Sequence, residues 1–131
     1  VQAEAHRLLA AVSLARASAM RRRESVTLCP VIVGEDRNEH CGGRFDQGFG
    51  VMHVNSGEWL RLYSPGDKRI RIVNRAGSAP VTQAITWDAH GFGSRNITLS
   101  VCRLGSGANW SLVLNRAGRP RLAKDWGTCS S

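Results

Sequence analysis

No stretch of this chain approaches the roughly eighteen consecutive apolar residues needed to cross a bilayer, and none has the short apolar core of a secretory signal. A membrane-spanning helix is thereby excluded from these residues. There is no G-x-S-x-G elbow and no G-x-x-x-x-G-K-[ST] phosphate loop, and Gly91-Phe92-Gly93-Ser94 lacks the third glycine of a dinucleotide fingerprint. The four histidines, His6, His40, His53 and His90, are scattered, so no catalytic constellation is visible and no enzymatic activity or cofactor is expected. No pair of cysteines has C-x-x-C spacing, which argues against zinc even though His40 adjoins Cys41.

The chain does have enough apolar content to fold. At 131 residues it has the size of one domain, and 42% hydrophobic against 21% charged residues is too apolar for intrinsic disorder. Its 18 basic and 10 acidic side chains leave a net charge of +8, which points to a polyanionic partner such as nucleic acid or an anionic surface. The distribution is uneven. Residues 1–24 carry five Arg and two Glu, residues 25–60 carry two Arg and five acids, and residues 61–131 carry eleven basic side chains against three Asp. The positive field thus belongs mainly to the C-terminal half. Sixteen of the 18 basic residues are Arg, whose planar fork suits bidentate phosphate contacts. A GC-rich coding sequence would produce the same Arg excess.

Four cysteines in a short chain allow three pairings, and the sequence-local one is expected: Cys29 with Cys41 and Cys102 with Cys129. Two such bridges imply an oxidising compartment; the alternative is four buried thiols in a reducing one.

The first 24 residues read as a helix, because Val1, Ala5, Leu8, Val12, Ala15 and Ala19 recur at steps of four and three without Gly or Pro. The stripe is narrow and Ala-rich, suited to close approach to a sheet, and its stability must come from docking. Arg21, Arg22 and Arg23 fall in the last turn, where cations complement the helix dipole. With no N-cap signal and no initiator Met, the helix reads as cut from a longer one.

From Ser25 the texture changes to short β-rich runs: 26–33, 50–54, 59–63, 69–73, 81–87, 97–103, 110–114 and 119–123. One helix followed by strands with hairpin-length connections gives an α+β fold, an N-terminal helix on antiparallel sheet, and excludes a doubly wound parallel sheet. Residues 1–24 and the β-rich head, 25–131, are expected to share one structural domain. Asn74-Arg75-Ala76-Gly77 and Asn115-Arg116-Ala117-Gly118 repeat one tetrapeptide with the preferences of a type I turn, so both copies should reverse the chain.

The segment with binding potential is Gly118-Arg119-Pro120-Arg121. In extended backbone, residues i and i+2 share a face, so Arg119 and Arg121 should project together at roughly 6 to 7 Å spacing. Pro120 cannot donate to a ladder and belongs on an edge strand. Arg116 and Lys124 extend the patch toward a sequence-independent contact with a phosphate backbone. A charged edge strand that discourages sheet-to-sheet aggregation has the same appearance.

Across nearly its whole length the chain resembles the GspH/FimT family of minor type IV pilins and type II secretion pseudopilins. Leu14 to Arg22 is similar to the family's ARSEAIRR helix, followed by Val26-Thr27-Leu28-Cys29-Pro30. Phe45-Asp46-Gln47-Gly48-Phe49 resembles its W-x-x-G-W segment, with Phe in place of both Trp residues. Gly66 to Arg71, Ile85-Thr86-Trp87, Gly91, Ile97 to Cys102, Asn115 to Leu122 and Cys129 follow in order. The resemblance implies a type IV pilin-like fold and a preceding hydrophobic helix. That helix would anchor the precursor in the inner membrane, with the head in the periplasm, and later pack within a pilus beside other major and minor pilins. In FimT-like members a G-R-x-R motif is associated with DNA binding during natural transformation, and here it falls on Gly118, Arg119, Pro120 and Arg121. Related minor pilins that prime the pilus tip carry a similar motif, so a structural tip subunit of a pilus or of a type II secretion pseudopilus is the alternative.

Overall fold

A computed structural model describes residues 1–107 and 109–129. It opens on one helix, α1 (Gln2–Arg22), which buries Ala5, Leu8, Ala11, Val12, Ala15, Ser18 and Ala19. Ala11 and Ser18 widen the expected stripe, and Val1 is only partly buried against it. Small side chains along this face let the helix axis lie close to the β-structure behind it. The helix stops short of residue 24 because Arg23 turns left-handed (φ 53°, ψ 45°) while its N–H bonds the Ala19 carbonyl.

The strands form two antiparallel sheets. In the first, β1 (Val26–Val33) pairs with β2 (Glu39–Cys41), β3 (Phe49–His53) and β6 (Ile85–Trp87), and β3 pairs in turn with β4 (Trp59–Tyr63). In the second, β5 (Ile70–Val73), β7 (Ile97–Arg103), β8 (Asn109–Leu114) and β9 (Pro120–Lys124) lie in the order β5-β7-β8-β9. One continuous core joins the helix to both sheets, with Leu8, Leu28, Phe49, Ile72, Trp87, Leu99 and Leu112 among its fully buried side chains. A disulfide links Cys29 on β1 to Cys41 on β2, and a second links Cys102 on β7 to Cys129 in the C-terminal tail.

Among the strands, two depart most from the sequence reading. The expected strand 81–87 contracts to Ile85–Trp87, because Val81 is instead buried between other segments, donating to the Ile72 carbonyl and accepting from the Phe45 N–H. The short strand β2 was not anticipated: Glu39, His40 and Cys41 are all exposed, so no apolar alternation marks it. Both Asn-Arg-Ala-Gly copies do reverse the chain. The Gly77 N–H bonds the Asn74 carbonyl and the Gly118 N–H bonds the Asn115 carbonyl, with positive φ at both glycines.

Candidate nucleic-acid interface

The turn that carries the G-R-P-R segment joins β8 to β9 and is tied to the first sheet. Gly118 is buried, and its φ of +82° lies in the left-handed region that favours glycine. Its carbonyl accepts a hydrogen bond from the Trp87 indole N–H at 3.1 Å, while the Arg116 carbonyl accepts from the Gly93 N–H at 3.1 Å. A Cβ at position 118 would stand 2.0 Å from the Gly91 carbonyl oxygen. Gly118 therefore fixes the backbone from which its neighbours project, and is placed to support a ligand site only indirectly.

Arg116, Arg119, Arg121 and Lys124 are all exposed. None is in an ion pair among the described residues. Strand β9 is an edge of the second sheet, so Pro120 occupies a position where its missing N–H breaks no central ladder. Arg119 stands just before the strand, its backbone N–H donating to Asn115 Oδ1 at 3.2 Å. Arg121 pairs with Val113 and Leu122 with Leu112. Leu122 packs against the core, so Arg121 belongs to the outer face, away from the helix. Lys124 has the parity of Leu122 and lies on the other face of β9 from Arg121.

The outer face has a cover that sequence patterning did not show. Beyond β9 the tail turns at Asp125, whose φ is 55°, and runs back across the second sheet. The Asn109 side chain holds it at both backbone polar groups of one residue, donating to the Gly127 carbonyl at 3.1 Å and accepting from the Gly127 N–H at 3.2 Å. Gly127 lies against Ser100 and Ser111, a buried cross-strand pair whose hydroxyls are 2.9 Å apart. The Thr128 N–H reaches the Arg75 carbonyl at 2.9 Å, and the Cys102–Cys129 bridge closes the arrangement. Trp126 is thereby brought under two guanidinium groups, with Arg75 Cζ 4.1 Å and Arg121 Cζ 4.7 Å from its ring centroid. Arg75 and Trp126 were not among the expected site residues. The one signal for Arg75 was that its turn repeats the tetrapeptide containing Arg116.

Elsewhere three arginines have carboxylate partners: Arg7 with Glu4, Arg44 with Asp46 and Arg69 with Asp67. His40 meets Asp36 on the surface, and His53 is buried with Nδ1 2.8 Å from a Glu24 oxygen. Among the described residues no group of three or more His, Cys, Asp or Glu is arranged to hold a metal. What the outer surface offers around Trp126 is two guanidinium groups, Arg75 and Arg121, without carboxylate partners among the described residues.

Residues 4–118 match the family model described as Type II transport protein GspH. No curated protein matches the chain. Two crystal structures of the type IV minor pilin FimU from Pseudomonas aeruginosa strain PAO1 share its fold at 20% identity. The P21 form superposes with a TM-score of 0.74 over 99% of this chain and 92% of that one. The P65 form gives 0.73 over 100% and 98%.

Proposed function

The chain belongs to the GspH family, and from that premise we propose that it is a FimT-like minor type IV pilin whose head binds DNA without sequence preference, for DNA uptake in natural transformation. Arg119 and Arg121 are the principal contacts, with Arg116 and Lys124 at the margins and Gly118 holding the turn. The observation that carries this reading is the pair Arg119 and Arg121, exposed on either side of Pro120 at a sheet edge and without carboxylate partners. Guanidinium groups in that state are available for phosphate oxygens, and such contacts carry no base information. The other partners in this reading are pilins of the same filament, and the inner membrane through a helix preceding α1. No helix among the described residues is itself long and apolar enough to cross a membrane. The test is fluorescence anisotropy with duplexes of unrelated sequence: comparable affinity for all of them, weakened in Arg119→Ala/Arg121→Ala, is expected. Unchanged binding by the double variant would place the site elsewhere.

A second reading, a structural subunit of a pilus or type II secretion pseudopilus, draws on the first sheet. There Ile32, Val33 and Leu62 are 44%, 66% and 44% exposed and border a depression of about 620 Å³, an apolar surface suited to a neighbouring subunit. It predicts complexes with other minor subunits and no DNA affinity at physiological salt.

A further inference from the structure

The cations of the outer face do not all come from the C-terminal segment. In the second sheet β5 and β9 are opposite edges, yet Arg75, from the turn after β5, and Arg121, from β9, both reach the Trp126 ring. The register explains how. Val73 pairs with Ser100, Ser100 with Ser111 and Ser111 with Ala123, so position 75 projects toward the row in which Thr98, Val113 and Arg121 are partners across the sheet. The two long side chains meet at the indole, whose negative face offsets part of the repulsion between two like charges brought together.

We propose that Arg75 is a further DNA-contacting residue and that Trp126 is the positioning residue that holds Arg75 and Arg121 ready for adjacent phosphates of one backbone. This rests on the DNA-binding reading above and specifies its geometry: the ligand lies across the outer face of the second sheet, from the β9 edge toward β5, and does not follow the G-R-P-R segment alone. Three observations support it. Neither guanidinium has a carboxylate partner among the described residues, so both charges remain to be neutralised. The backbone of Arg75 is fixed by the bond from Thr128, so the turn and the tail are held as one unit. A shallow depression of about 340 Å³, bordered by Arg75, Asn96 and Thr98 along with the apolar Ile97, Val113 and Leu114, continues the surface from the Arg75 turn toward β8 and leaves room there for a sugar-phosphate chain. With its ring already occupied by two cations, Trp126 is committed to them and not to stacking on bases, so the site should accept duplex DNA without unpairing it.

The experiment measures duplex affinity across a salt series for the wild-type head, Arg75→Gln, Arg75→Lys, Trp126→Leu, Trp126→Phe and Arg119→Ala/Arg121→Ala, each checked for an unchanged melting temperature. Arg75→Gln should lower the slope of log K against log salt by about 0.9, one phosphate contact, whereas Arg75→Lys keeps the charge and the slope. Trp126→Leu should weaken binding severalfold while Trp126→Phe, which retains a ring, stays near wild type. Equal losses in both Arg75 variants, a wild-type slope in Arg75→Gln, or equal binding by both Trp126 variants would overturn the proposal. If the double Arg variant alone loses affinity, the DNA-binding reading stands without this extension; if it binds as wild type, both fall.

Discussion

The Trp87 indole N–H donates to the Gly118 carbonyl at 3.1 Å, a bond from the fully buried ring of the first sheet to the turn that presents Arg116 and Arg119 on the second. The glycine of the G-R-P-R segment is thus an interior residue, and its neighbours are surface ones. What fixes the arginines in space is the packing of Trp87, Gly91 and Gly118.

Gly118→Ala should be severely destabilising. The left-handed φ costs about 1 kcal/mol for a residue with a Cβ, and a Cβ 2.0 Å from the Gly91 carbonyl forces the turn to move, for a total of at least about 2 kcal/mol. Gly57→Ala, at φ +71° with nothing within 4 Å, should show only the conformational part. Urea denaturation of the two variants separates clash from strain.

The two bridges close loops with separations of 12 and 27 positions. Chain entropy assigns them about 3 and about 3.5 kcal/mol respectively. Cys102→Ser/Cys129→Ser should therefore lower stability at least as much as Cys29→Ser/Cys41→Ser. It should also weaken DNA binding where the other pair does not, since only the Cys102–Cys129 bridge holds the tail that carries Trp126. Denaturation midpoints and duplex affinity of the two double variants check both statements.

Asp67 accepts hydrogen bonds from the Arg69 side chain and from its backbone N–H, and these hold its carboxyl below the usual carboxylate range. A depressed carboxylate contributes stability that is present above the unfolded value, near about 4, and is lost as pH falls through the lowered folded value. Asp67→Asn should remove that contribution, lowering stability slightly near neutral pH and leaving it little changed near pH 2, so that the acid-side decline flattens, as read from melting temperature between pH 2 and pH 7.

The α+β class, the helix face and most strands were legible because their signals are local and periodic, as in Ala5, Leu8 and Val12 or in Ile70 and Ile72. Strand β2 was hidden because Glu39-His40-Cys41 has no buried face to pattern, and residues 81–84 misled because Val81 is buried by loop packing and not by a ladder. The arginines of G-R-P-R could be read from a four-residue spacing. The meeting of Arg75 with Trp126 could not, since it depends on a tail folding back over a sheet and on side chains far apart in the chain. Its only foreshadowing was the repeated Asn-Arg-Ala-Gly turn.

The central claim is that Arg119 and Arg121 each neutralise a DNA phosphate, and the salt dependence of duplex binding tests it most directly. Wild-type head and Arg119→Ala/Arg121→Ala, compared by anisotropy over a salt series, should differ in the slope of log K against log salt by about 1.8, with weaker binding by the variant at every salt concentration. Parallel lines of equal affinity would contradict it.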